Sequence, residues 1–143
     1  MVDKLVLLLS TDWFMPYWRV LDIEIDGDEQ GFEVARGVLT QRLDLPDGDI
    51  LLPVYFSPKG GKFSRVVLLR CGFDGRKLSV KEVGNELAAD TDRGVGEPSI
   101  TVFRGRYYLT LRHDQRAYVA TSADGLHFGE VKAWTWDDGS DLG

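Results

Sequence analysis

A pattern of strands and turns occurs twice in this chain, and it limits the possible folds more than any other feature. Gly37-Val38 recurs 57 residues later as Gly94-Val95. At the same offset Leu43 falls on Ile100, Leu45 on Val102, Gly48 on Gly105, and Ile50-Leu51-Leu52 on Tyr107-Tyr108-Leu109. Farther on, Asp74-Gly75 matches Asp124-Gly125 at an offset of 50, the difference being absorbed by the longer loop Ser57-Pro58-Lys59-Gly60-Gly61-Lys62. A fainter third copy lies upstream, where Arg19-Val20-Leu21 and Asp26-Gly27 echo Arg65-Val66-Val67 and Asp74-Gly75.

The repeating unit reads as β. No stretch sustains an apolar period of 3.6, whereas short β-branched and aromatic runs recur between Gly, Asp and Pro. Strands are expected near Lys4–Ser10, Trp18–Ile25, Leu39–Leu45, Ile50–Phe56, Ser64–Cys71, Leu78–Val83, Ser99–Phe103, Tyr107–Arg112, Ala117–Ser122 and Val131–Trp136. The turns carry Asp-Gly at 26–27, 47–48, 74–75, 124–125 and 138–139, and Arg104-Gly105 serves the same purpose. Asp-Gly is a strong hairpin signal because both residues tolerate positive φ.

Each copy therefore reads as four antiparallel strands, and a period of about 50 residues with four strands marks a β-propeller blade. A β-sandwich whose strands merely look alike is the alternative. The expected organisation is all-β: a partial blade over residues 1–36, a blade over 37–93 and another over 94–143. Ring closure takes roughly four to eight blades, so about two and a half blades imply a piece of a larger propeller or a protomer completed by association. Terminal blades expose strand edges and an apolar face each, so self-association is expected.

Composition narrows the function. Against 17 Lys and Arg stand 23 Asp and Glu, for a net charge of -6 over 143 residues, which excludes a dedicated nucleic-acid binder. Hydrophobic residues at 43% are enough for a sizeable core. The longest apolar run, Leu5 to Leu9, is too short to span a bilayer. Asp3 sits where a signal peptide would be basic, so no signal peptide is expected and the compartment stays open. A lone Cys71 excludes an internal disulfide framework and a Cys-rich zinc site. His113 and His127 do not make a zinc site. Gly60-Gly61 has no following helix to cradle a phosphate, and no Gly-x-Ser-x-Gly elbow occurs. The tail Asp137-Asp138-Gly139-Ser140-Asp141 lacks calcium-loop spacing and reads as a solvated turn. No metal or cofactor is expected.

Three segments carry a family resemblance. Gly96-Glu97-Pro98-Ser99-Ile100 leads into Gly105-Arg106-Tyr107-Tyr108-Leu109-Thr110-Leu111-Arg112, with 15 residues from Glu97 to Arg112. Ser122-Ala123-Asp124-Gly125-Leu126-His127-Phe128 follows, and Leu45 to Phe56 precedes. This set resembles the sialidase (neuraminidase) superfamily of six-bladed Asp-box propellers, in particular its uncharacterised bacterial sialidase-like proteins, over roughly residues 37 to 143. The Asp-box copy is one residue shorter than the usual form and ends in His-Phe.

The resemblance implies a glycoside hydrolase of exo-α-sialidase type, acting on terminal sialic acid or a related acidic sugar. Arg112 would grip the sugar carboxylate in a two-pronged charge-assisted contact. Sialidases use a tyrosine nucleophile rather than a carboxylate, and Glu97 would be the base that activates it. Pro98 biases Glu97 toward an extended backbone. His113 and Asp114 follow Arg112 and are candidates to line the pocket, with a solvated turn as the alternative. The family's first arginine and acid/base aspartate would precede this chain, and its third arginine and nucleophile tyrosine would follow residue 143. The chain alone is therefore expected to be inactive.

Two other functions remain open: a propeller glycosidase acting on neutral glycans, and a non-catalytic propeller that binds glycans or proteins. His127 and Asp124 are read as structural, His127 packing beside Phe128 under its turn and Asp124 capping it. Trp13, Phe14, Tyr17 and Trp18, beside Arg19, are read as core, with glycan stacking as the alternative. Tyr107 and Tyr108 should face opposite sides of one strand.

Overall fold

The computed structural model describes residues 5–10, 18–24, 32–36, 40–58, 60–61, 63–75 and 77–142. Trp13, Phe14 and Tyr17 lie outside the described residues. Within them the chain is all-β, with no helix. The strands are β1 (Leu5–Ser10), β2 (Trp18–Glu24), β3 (Phe32–Arg36), β4 (Leu43–Asp44), β5 (Ile50–Pro58), β6 (Arg65–Phe73), β7 (Leu78–Val83), β8 (Gly96–Phe103), β9 (Arg106–Arg112), β10 (Ala117–Ser122) and β11 (Lys132–Ala133).

They form two sheets. The first is seven-stranded in the order β1-β2-β7-β6-β5-β3, with β4 sharing the β3 edge of β5. The second is the four-stranded meander β11-β10-β9-β8. Every pair is antiparallel except β2 with β7. The described strands before residue 37 thus hydrogen-bond into the sheet of β4 to β7 rather than forming one of their own. The sequence pattern does not flag β3, a single Phe-Glu-Val-Ala-Arg run between Gly31 and Gly37.

The sequence repeat is a structural repeat. β4-β5-β6-β7 and β8-β9-β10-β11 are both four-stranded antiparallel meanders. With Leu52 taken onto Leu109, the cross-strand pair Leu52–Leu69 in the first corresponds to Leu109–Ala120 in the second, an offset of 51 for the partner strand rather than the 50 of the Asp-Gly match. Their turns differ in detail. Arg104 (φ +50°) and Gly105 (φ +73°) both take positive φ, the two-residue turn that suits twisted strands. At the described Asp-Gly sites only glycine does so: Gly48, Gly75, Gly125 and Gly139 have φ between +82° and +91°. At 45–49 the Gly48 N–H donates to Leu45 O at 3.0 Å and the Leu45 N–H to Asp49 O at 2.8 Å. The pattern repeats at 136–140. It is a type I turn closed by a left-handed glycine, so aspartate supplies the cap and glycine the φ.

β5 and β6 are apolar on both faces, as a strand covered on both sides must be. One face carries Leu52, Val54, Phe56, Val67 and Leu69, all buried. The other carries Leu51, Val66 and Leu68, packed with Ile100, Leu109, Leu111 and Ala120 of the second sheet. The Leu109–Ala120 face is the counterpart of the Leu52–Leu69 face, so the two meanders stack head to tail, front of one on back of the other. The outer face of the second sheet carries Thr101, Tyr108, Thr110 and Val119, none buried, a mixed rather than apolar surface. Tyr107 packs with the inter-sheet core and Tyr108 faces away.

The linker after β7 completes the seam. Val66 and Leu87 exchange N–H···O bonds of 2.9 and 2.8 Å, and the Val95 N–H donates to Ser64 O at 3.2 Å. Asn85 holds both backbone groups of Phe128, at 2.8 and 3.0 Å. This course delivers Asp92 and Arg93 to the mouth between the sheets.

Candidate functional site

The site begins with a bulge. Gly96 pairs with Arg112 and Ser99 with Thr110, so Glu97 and Pro98 together stand opposite Leu111. A proline gives the ladder no N–H, and a bulge is where a sheet tolerates that. The bulge sets the backbone of Glu97 at φ +45°. This corrects the expectation of an extended Glu97. The steric bias from Pro98 is local, and the two-against-one pairing overrides it, demanding a left-handed residue of the kind glycine usually supplies. The result turns the Glu97 side chain toward the end of β9.

Arg112 stands there. Its Nη1 donates to Glu97 Oε1 at 2.7 Å. Glu97 is 27% exposed and Arg112 62%. The next two residues are held by the linker. His113, with only 6% of its side chain exposed, accepts the Gln115 backbone N–H on Nδ1 at 3.3 Å. In the neutral ring the proton then sits on Nε2, which lies 3.1 Å from Asp92 Oδ1 and donates to it. The Tyr118 ring meets His113 edge-on at 6.1 Å. Asp114 pairs with Arg93. The His113 side chain is therefore enclosed and fixed by its partners, while Asp114 beside it is exposed.

Glu97, Arg112, His113 and Asp114 all line one open cleft of about 230 Å³, completed by Tyr55, Ser64, Arg93 and the backbone of 94–96. Tyr55 closes its wall by lying over Gly96, where a Cβ would touch the ring at 3.5 Å. The same four residues border a second cleft of about 320 Å³, walled by Trp134, Gln115 and Arg116. Sequence reasoning missed Tyr55, Asp92 and Arg93. Tyr55 comes from the other sheet, and the pairs Asp92–His113 and Arg93–Asp114 join two loops, so no local spacing marks them.

The turn at 122–128 is built by its aspartate. Asp124 Oδ1 accepts the N–H groups of Leu126 at 2.9 Å and His127 at 2.8 Å, and the Ser122 hydroxyl at 2.8 Å. Burial pushes the Asp124 carboxyl up, but the hydrogen bonds from the His127 N–H, the His127 ring, the Leu126 N–H and Ser122 outweigh it and hold the group well below the usual carboxylate range. Phe128 is buried. His127 is exposed, with Nδ1 2.8 Å from Asp124 Oδ2. It does not pack under the turn, because Asp124 holds it on the outside.

Two further charged groups have structural partners. Asp49 takes Lys81 Nζ at 2.5 Å and Arg70 Nε at 2.9 Å. These hydrogen bonds lower its carboxyl from the usual value and tie the 45–49 turn to β6 and β7. In the acidic tail, Asp138 accepts the Ser140 N–H at 2.9 Å and Asp141 pairs with Arg116 at 3.2 Å. Among the described residues no group of three His, Cys, Asp or Glu is placed to hold a metal ion, and no helix is long and apolar enough to cross a membrane.

Comparisons of the chain with family models, with curated proteins and with solved structures each return no match.

Proposed function

We propose that this chain carries part of a sialidase-type glycoside hydrolase, with two propeller blades whose cleft at Glu97 and Arg112 takes the carboxylate of a terminal sialic acid or related acidic sugar. The Glu97–Arg112 pair carries the reading. Glu97 occupies one nitrogen of the guanidinium, and the other two have no acceptor among the described residues. Nε and Nη2 form the side edge of the fork, which binds a carboxylate through two parallel charge-assisted hydrogen bonds. Arg112 is exposed enough to be reached and held firmly enough to be aimed. The left-handed backbone at Glu97 also supports the reading, since such outliers concentrate where function requires a fixed geometry.

In this scheme a tyrosine hydroxyl attacks the anomeric carbon as its proton passes to Glu97, and a general acid protonates the departing oxygen. The head-to-tail stacking of equivalent meanders supports the propeller, because the same step repeated adds blades and a suitable rotation closes a ring. A binding-only function has one observation in its favour: the cleft's cationic and imidazole groups Arg93, Arg112 and His113 are each already matched to an acid.

The test is binding of free sialic acid by the chain, and turnover of fluorogenic α-sialosides by the complete propeller that contains it, each beside Arg112→Lys. Lysine keeps the charge and loses the fork. Binding should weaken about tenfold or more in the variant, the scale of a hydrogen bond to a charged group. Binding without turnover would select the binding-only function. Absence of acidic-sugar binding, or binding indifferent to Arg112→Lys, would overturn the proposal.

A further inference from the structure

We propose that the second cleft binds a neutral pyranose ring, with the indole of Trp134 as its stacking face. Trp134 is 40% exposed, yet its backbone is fixed on both sides. Its N–H donates to Ala117 O at 2.9 Å and its carbonyl accepts the Leu142 N–H at 3.1 Å. The result is a part-exposed indole on an anchored backbone at the wall of a cleft of about 320 Å³. A pyranose presents an apolar C–H face and a rim of hydroxyls. The face suits an aromatic plate. The rim needs planar or hydroxyl partners, and Gln115, Arg116 and Thr110 stand around the same cleft. The Gln115 side-chain amide has no hydrogen-bond partner among the described residues, so its donors and acceptor are open to a ligand.

Position strengthens the assignment. The cleft shares Glu97 and Arg112 with the first one. A glycan with its acidic sugar on the Arg112 side would place the adjoining neutral sugar against Trp134. That linkage rests on the acidic-sugar reading, whereas the stacking site stands on Trp134 and its cleft alone.

Lactose, a neutral disaccharide, is the probe, followed by saturation-transfer NMR and by tryptophan fluorescence. Trp134→Ala should weaken binding about fivefold or more, the scale of one lost aromatic contact, and Trp134→Tyr should restore most of it. Trp136, 59% exposed and not part of the cleft wall, supplies the control, and Trp136→Ala should leave binding unchanged. No lactose binding by the unmodified chain, or equal binding by Trp134→Ala, would overturn the site. Free sialic acid is titrated in the same series. If it fails to bind while lactose binding depends on Trp134, the acidic-sugar reading falls and the pyranose site stands. If it binds through Arg112 while lactose does not bind, the pyranose site alone falls.

Discussion

Arg112 donates to Glu97 across 2.7 Å, and Glu97 receives that hydrogen bond from a left-handed backbone at φ +45°. The two facts oppose one another in free energy. A left-handed conformation costs an L-residue about 1–2 kcal/mol, while an exposed ion pair contributes at most about 1 kcal/mol. Glu97→Gly should therefore be more stable than Glu97→Ala by about 1 kcal/mol, because both lose the pair and only glycine loses the strain. An extended strand residue would give the reverse order, with glycine the weaker by about 0.5–1 kcal/mol. Urea midpoints of the two variants decide the sign.

Gly94 and Gly105 separate backbone strain from crowding. Their φ values are close, +76° and +73°. A Cβ at Gly105 would meet nothing within 4 Å, whereas one at Gly94 would lie 2.1 Å from Ser64 O. Gly105→Ala should cost about 1–2 kcal/mol from φ alone. Gly94→Ala carries the same strain and must also break the seam formed by Ser64, Arg93 and Val95, so its cost should be clearly larger. Equal denaturation midpoints would mean that the seam does not hold the sheets together.

What could be read from the sequence was local. The continuous apolar run Ile50–Phe56, the alternation in Tyr107–Arg112, and Asp-Gly between runs reflect chemistry within a few residues, and the two meanders follow from them. The parallel pairing of β2 with β7 depends on residues more than fifty apart in the chain, and no pattern within either strand encodes it. Glu97 shows the same limit at the site. Its neighbour Pro98 argues for extension, and only the register against Leu111 reveals the bulge. Glu97 and Arg112 lie on one hairpin, and the family resemblance spanning that hairpin singled them out. Tyr55 and Arg93 reach the cleft from the other sheet and a linker, and their chemistry became apparent only once the sheets were stacked. His127 was misjudged because Asp124 holds its ring outside the turn.

Asp124 should make stability depend on acid. Its carboxyl sits below the ordinary value of 3.8 in the folded chain. A depressed carboxylate contributes stability that is fully present above the unfolded value and is lost as pH falls through the folded one. Asp124→Ala should cost about 1–2 kcal/mol at pH 7, comparable to losing a helix cap with two backbone N–H partners. The gap between wild type and variant should narrow below about pH 4, once the unfolded carboxyl protonates. Thermal melts of both proteins across pH 2 to 7 measure it, and a gap unchanged over that range would show that Asp124 does not carry the turn.

Cys71 provides a probe of the core at the opposite end of the pH scale. The thiol is fully buried among Leu69, Leu78 and Val67. Burial pushes it up to about 12 from 9.0, and the negative charge of Asp49 adds to the effect. Only the thiolate reacts with disulfide reagents, so the native chain should react at pH 8 no faster than it opens, while the urea-unfolded chain should react at once. The raised thiol also contributes stability that is complete below about pH 9 and declines as pH rises toward 12, because only the unfolded state ionises readily in that window. Urea titrations at pH 7 and pH 10 should therefore show the wild type losing stability relative to Cys71→Ala at the higher pH. Rapid labelling of the native chain by a bulky disulfide reagent would place Cys71 outside the core and remove both expectations.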